Sequence, residues 1–257
     1  MLIQKIQGWR KSIALYKEPW RIFLLWKKFS RKASIIELKN GLKFFVRPGI
    51  PDIQMINEVA YDEFYNKALS KMIKNEIAVD IGANIGAFTL KAAKNPFIDF
   101  VYSFEPFPSN YAILERNIKL NNLTKKIYPF QLGIGRKKER RKLFLGLKGN
   151  ATHSLFEKSD SSIYINTITL EDLFKDNKIK SISLLKIDCE GAEYEFFESA
   201  TSLLLRKIKI ICMEYHQNGN PDDIKSKLEK YGFDVLKRDS GEQGIGFIYA
   251  QNRLFEG

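Results

Sequence analysis

Only two cysteines, Cys189 and Cys212, occur in the 257 residues. Two thiols cannot build a disulfide framework, and their spacing does not suit a zinc centre. Both sit in strand-like text, so buried free thiols are expected. Histidine is as scarce, with His153 and His216 alone. No apolar run reaches the roughly 18–20 residues that a bilayer-spanning helix needs. The opening MLIQKIQGWRKS lacks the clean apolar stretch and cleavage site of a secretory leader. A reducing, cytoplasmic setting is the expectation. No internal repeat appears, and no linker splits off a second domain.

What the chain does have is core-forming material. Hydrophobic residues make up 44% and charged residues 28%, enough for one full core and unlike a disordered chain. The net charge of +12 is uneven. Residues 1–32 hold nine Lys or Arg and one Glu, and the run RKKERRK at 136–142 holds six basic residues and one Glu. Such patches attract phosphates, acidic headgroups, nucleic acid or acidic substrates.

Residues 7–30 read as one or two basic amphipathic helices, with Pro19 dividing them or starting the second. Trp20, Phe23, Leu24 and Trp26 supply apolar surface. The expectation is a cover on the core, with peripheral contact to the inner face of an anionic membrane as a further role. SIIE and LKFFV flank Asn40-Gly41 and predict a hairpin over 34–37 and 42–46. Residues 52–73 read helical. Residues 1–73 are thus expected to cap a main domain at 74–257.

From residue 77 strands alternate with helices. Strands are expected at 77–81, 100–105, 126–132, 182–188 and 207–215. Helices are expected at 85–94, 108–120, 191–205 and from Pro221 to Tyr231. Pro129 suggests an edge position for the third strand, and Thr169 a helix cap over 169–174. Residues 140–168 look like an inserted β segment. Two final strands, 233–238 and 245–251, add an antiparallel edge. Near-continuous apolar strands between helices predict an α/β fold, with a parallel sheet covered on both faces.

Ligands in such sheets sit at the carboxyl ends of the strands. DIGANIG, 80–86, lies at such an end. Asp80, Gly82, Ala83, Asn84 and Gly86 form the candidate cofactor loop, because glycine permits unusual backbone angles and close approach. About twenty residues on, Glu105 ends the next strand, where a carboxylate suits two adjacent ribose hydroxyls. Pro106 and Phe107 could wall an adenine ring. The loop is not GxGxxG, which weakens a nicotinamide reading.

These pieces resemble a known family, the FkbM-type methyltransferases. The matching segments are VDIGANIGAFTL, FEPFPSNYAILERN, LLKIDCEGAEYEFFESA and IICMEYH, in that order. The resemblance covers roughly residues 55–250. It implies a doubly wound, Rossmann-like sheet of seven strands with the last reversed, S-adenosylmethionine as cofactor, and methyl transfer, commonly to a hydroxyl oxygen. Implied acceptors are sugars, glycans, glycolipids and polyketide-type metabolites. The family pattern also places Asp188, Glu190, Gly191 and Glu193 at the tip of the strand ending LLKID, with Glu214 and His216 beside them. Cys189 stands where a Val is more usual.

A sugar hydroxyl is a poor nucleophile and needs a base or a metal to take up its proton. Asp188 and His216 are the leading catalytic candidates, with Glu190, Glu214 and Lys186 around them. Lys186 should share a strand face with Asp188 and neutralise the acids or bind an anionic acceptor. Asp188, Glu190, Glu214 and His216 also offer a donor set for a divalent metal, although spacing alone assigns none. The basic run 136–142 is expected to border the open side of the pocket. Rival readings are a nucleic-acid methyltransferase, which the charge favours but a missing NPPY-like signature opposes, a non-catalytic scaffold that kept the fold, and a nicotinamide oxidoreductase.

Overall fold

The structure is a computed structural model that describes residues 13–26, 32–145, 153–154, 161–241 and 244–255. Helix α1 (Pro19–Trp26) starts at its proline, where the missing N–H costs nothing. Residues 7–12 and 27–30 of the expected amphipathic stretch lie outside the described residues. Strands β1 (Ser34–Glu37) and β2 (Lys43–Val46) form an antiparallel hairpin. Gly41 turns it with φ +87°, while Asn40 accepts from the Leu42 N–H at 3.1 Å.

The helix expected over 52–73 is two helices, α2 (Asp52–Tyr61) and α3 (Glu63–Leu69). Asp62 separates them with an extended ψ of 125°, and its carboxylate caps the Tyr65 N–H at 2.8 Å. Short acidic residues favour caps over helix interiors. Ile56 joins Tyr16, Ile22, Ile36, Phe44 and Val46 in a small core that also takes Ile85 and Leu90. The N-terminal elements are therefore packed onto the main domain.

That domain runs β3 (Glu76–Ile81), α4 (Ala87–Lys94), β4 (Ile98–Phe104), α5 (Pro108–Leu120) and β5 (Ile127–Phe130). An insertion follows, made of β6 (Gly133–Ile134), β7 (Glu139–Leu145), β8 (His153–Ser154) and β9 (Ser162–Ile168). The chain then returns through α6 (Leu170–Asp176), β10 (Ile182–Ile187), α7 (Glu193–Ser199), α8 (Ser202–Arg206), β11 (Ile208–Tyr215), α9 (Pro221–Lys230), β12 (Phe233–Asp239) and β13 (Gly246–Asn252). The seven-stranded sheet has the order β12-β13-β11-β10-β3-β4-β5. β13 is antiparallel to both neighbours, and the pairs of β11, β10, β3, β4 and β5 are parallel. Pro129 sits in the edge strand, as its missing donor requires. The insertion is its own sheet, ordered β6-β9-β7-β8.

All six residues of β10 are buried, as expected of a strand covered on both faces. Truncating one such leucine to alanine costs about 2–5 kcal/mol. The helix expected over 191–205 breaks at Ala200, which is extended with ψ 114°. Thr201 then caps Leu204 N. Thr169 and Asp172 form a reciprocal capping box on α6. Asp80 and Asp188 are brought together at the carboxyl ends of the adjacent interior strands β3 and β10.

Candidate active site

The loop after β3 is shaped by what it touches. Gly82 has φ +75°, and a β-carbon there would stand 1.7 Å from the Asp188 carbonyl oxygen. Only glycine lets the two strand ends approach this closely. Gly86, at φ +90°, opens α4. Between them Asn84 also takes a positive φ, 49°, which asparagine tolerates better than most residues. Its buried Oδ1 finds no hydrogen-bond partner among the described residues.

Below the loop, Asp80 is fully buried. It accepts from the Thr89 hydroxyl at 2.6 Å, and that hydroxyl lies 2.9 Å from Ser103. Lys186 reaches it from β10 at 3.2 Å. The same ammonium lies 3.3 Å from Asp188 and donates to the Gly82 carbonyl at 2.7 Å. Burial alone would lower the Lys186 pKa, but Asp80 and Asp188 hold it above its ordinary value. Lys186 is thus a buried clasp between the two strand ends, too enclosed to serve an incoming anion.

Glu105 is held by two backbone donors, Asn84 N at 2.7 Å and Phe107 N at 2.9 Å. Burial outweighs them and pushes its pKa up to about 7. Each oxygen keeps a lone pair for another donor.

A second group of charges lies beyond β10 and β11. Asp188, Glu190 and His216 present donor atoms that all lie within 4.8 Å of one another. Glu190 and Gly191 both have positive φ, 52° and 103°, so the chain turns sharply before α7. His216 Nε2 lies 3.6 Å from Glu190, and Nδ1 lies 2.9 Å from Glu193 Oε1. Burial opposes charge on the imidazole, yet Glu193, Asp188 and Glu190 raise its pKa to about 10. At neutral pH His216 is a cation, which differs from the expectation that it accepts a proton there. Burial, reinforced by Asp188, raises Glu190 to about 7 and Glu214 to about 8. Asp188, Glu190 and His216 could hold a divalent ion; Glu214 does not join that set.

Gly82, Asn84, Glu105, Pro106, Asp188 and Glu190 line one open cleft. Several of its walls escaped the sequence reading. Met55 enters from α2, and Leu143 and Ile165 enter from the insertion. Phe107 packs with those two insertion residues. Glu193, placed by the resemblance at the strand tip but not among the catalytic candidates, is the fully buried partner of His216. Nothing in the spacing of CEGAEY singles it out over Glu214 for that task. In the basic run, Arg136 pairs with Glu198, Lys138 with Asp176 and Arg141 with Glu195. Both thiols are free, with pKa values raised by burial; Cys212 is buried as expected, whereas Cys189 is half-buried on the cleft wall.

Known proteins share this arrangement of segments. A family model described as "Methyltransferase FkbM domain" matches residues 80–235. Methyltransferase sdnD of Sordaria araneosa is 27% identical over 217 residues, covering 72% of this chain and 83% of its own. The 31-O-demethyl-FK506 methyltransferase FkbM of Streptomyces tacrolimicus is 25% identical over 214 residues, covering 71% and 82%. Hexuronic acid methyltransferase AglP of Haloferax volcanii is 21% identical over 219 residues, covering 84% and 88%. The match spans more than half of the chain and includes the glycine loop, Glu105 and the Asp188–His216 group: the chain belongs to the FkbM-domain family of S-adenosylmethionine-dependent methyltransferases.

Proposed function

We propose that this methyltransferase acts on a hydroxyl oxygen of a sugar, glycan, glycolipid or related small metabolite. The observation that carries the reading is the shared cleft. Glu105 and Asn84, which suit the nucleoside, line the same space as Asp188 and Glu190, which suit an acceptor.

The residues fit S-adenosylmethionine. Glu105 offers two positioned oxygens to ribose hydroxyls, and donation from them favours its charged form. The orphaned Asn84 Oδ1 is completed by a donor on the ligand, since buried polar atoms seek partners. Gly82 lets the loop backbone lie close to whatever occupies the cleft. When bound, S-adenosylmethionine supplies a methyl group on a positively charged sulfur.

The chain's own task is to align the hydroxyl and remove its proton. Asp188, anchored by Lys186 and partly exposed to the cleft, accepts the hydroxyl hydrogen bond. Glu190, which lines the cleft beside Asp188 and titrates near neutrality, receives the one proton that the hydroxyl loses. His216, kept cationic by Glu193, lies 3.6 Å from Glu190 and steadies its carboxylate before the proton arrives. Two relatives support this reading by name, one for a hexuronic acid and one for a 31-O-demethyl compound.

A methyl-transfer screen over host glycans, lipid-linked sugars and small alcohols tests it, with divalent ions present and absent. A hydroxyl acceptor should emerge, and Asp188→Asn should lower turnover by about 10²–10⁴-fold with cofactor affinity nearly unchanged. Full turnover by that variant removes Asp188 from the chemistry. Transfer only to RNA overturns the acceptor class.

A further inference from the structure

His216 stands just past the sheet. The ladder between β11 and β13 ends at the pair Tyr215 and Gly246, one residue short of it. The chain is next anchored at Asn220, whose side chain accepts from Asp222 N at 3.1 Å and caps α9. Between these points it leans on α7. The Tyr194 hydroxyl donates to the His216 carbonyl at 2.8 Å. Gly219 lies on the Tyr194 ring, so near that a β-carbon there would stand 2.6 Å from Cε1. Gly219 is exposed and its φ is not positive, so the ring, and not backbone strain, calls for glycine there.

One residue earlier on α7, Glu193 Oε1 accepts from Cys189 N at 3.0 Å and lies 2.9 Å from His216 Nδ1. Glu193 Oε2 has no hydrogen-bond partner among the described residues. A single oxygen therefore carries both contacts, and the Cys189 N–H tethers it. If the imidazole drifts, Glu193 is not free to follow.

We infer that Tyr194 is a positioning residue for His216: its hydroxyl holds the His216 backbone so that the imidazole meets Glu193 through Nδ1 and turns Nε2 towards Glu190. Consecutive residues of α7 thus grip His216 at two points, Glu193 on the ring and Tyr194 on the main chain. With both points fixed, Nε2 is left 3.6 Å from Glu190. Gly219 sets where the Tyr194 ring lies, and so where its hydroxyl reaches. Burial, reinforced by the Glu193 charge, pushes the Tyr194 pKa up to about 12, so the hydroxyl keeps its proton to donate. The ring alone packs against the main core; that packing makes no use of the hydroxyl. The inference deepens the part given to His216 above and rests on it.

An NMR titration of the full chain, without cofactor or acceptor, reads the imidazole directly, so its outcome is separate from that of the acceptor screen. His153 is the other histidine and serves as the control in the same spectrum. Tyr194→Phe keeps the ring and removes the hydroxyl. His216 should then titrate about one pH unit or more below its parent value, because its contact with Glu193 loosens, while His153 stays unmoved. Gly219→Ala should lower the His216 titration in the same way, since the added methyl displaces the ring. The melting temperature of Tyr194→Phe should fall by no more than about 4 °C, the effect of losing one hydrogen bond. Its affinity for S-adenosylmethionine should hold in calorimetry, because Tyr194 is not among the residues lining the cleft. An unmoved His216 titration in Tyr194→Phe overturns the inference. So does a shift that His153 shares, which marks a general loosening, or a shift in Gly219→Ala alone, which assigns the grip to the ring.

Discussion

Gly82 and Asp188 touch backbone to backbone: the space beside the Gly82 α-carbon is filled by the Asp188 carbonyl oxygen, 1.7 Å from where a side chain would begin. The tips of β3 and β10 are therefore joined by a contact that no side chain mediates, and Lys186 closes the same junction by donating to the Gly82 carbonyl.

Gly82→Ala should separate the two tips. Neither the carbonyl nor the positive φ can be relieved by a rotamer change. A stability loss on the order of 3 kcal/mol is expected in urea unfolding, along with loss of S-adenosylmethionine binding by calorimetry. Gly41→Ala is the control, since its β-carbon meets nothing within 4 Å at a similar φ. It should carry only the backbone strain.

Glu105 should make cofactor affinity depend on pH. Its folded pKa of about 7 stands above the ordinary 4.5, so the free protein favours the neutral acid. Its contribution to folding is full below about pH 4.5 and is lost as pH rises through about 7. Ribose hydroxyls prefer the charged form, so the dissociation constant should fall between pH 6 and 8, values that bracket the shifted pKa. Glu105→Gln should flatten that slope, and Glu105→Ala should weaken binding by about 1–3 kcal/mol. Calorimetric titrations across that range check both.

Lys186→Met should destabilise more than a typical surface change. It leaves Asp80 and Asp188 facing one another without the cation between them. Breaking such a buried pair costs about 3–5 kcal/mol. The melting temperature should recover as pH falls and the carboxylates protonate, whereas a mere packing defect would leave the loss constant with pH.

Glu193→Gln should free the His216 imidazole. With Glu193 present the pKa stands near 10 against an ordinary 6.5. The pair's stabilisation is therefore complete below about pH 6.5 and fades as pH climbs through about 10. In the variant the ring's NMR titration should move down towards neutrality. An unmoved titration would show that Asp188 and Glu190 hold the proton instead.

Much of this architecture is legible in the residues. IAVDI, FVYSF and ISLLKI are near-continuous apolar runs, and runs of that kind become buried parallel strands. Asn40-Gly41 and Pro129 marked a turn and an edge by backbone chemistry alone. The longer helices misled where one short polar residue competes with the helix. Asp62 and Thr201 offer caps that interrupt 52–73 and 191–205, and periodicity continues through both. At the site, the loop and Glu105 announce themselves by spacing. The Glu193–His216 pair does not, because it depends on where α7 lies against the end of β11. Leu143 and Ile165 were equally hidden, since an insertion's alternation shows which side is apolar but not what that side covers.

The cleft wall is built from two sources with different obligations. Sheet residues such as Ile81 and Phe104 belong to the main core as well, whereas Leu143 and Ile165 belong to a small satellite cluster with Phe107. Trimming the satellite would retune how snugly the ligand is gripped while sparing the scaffold beneath. Grip and integrity can thus drift independently over evolution.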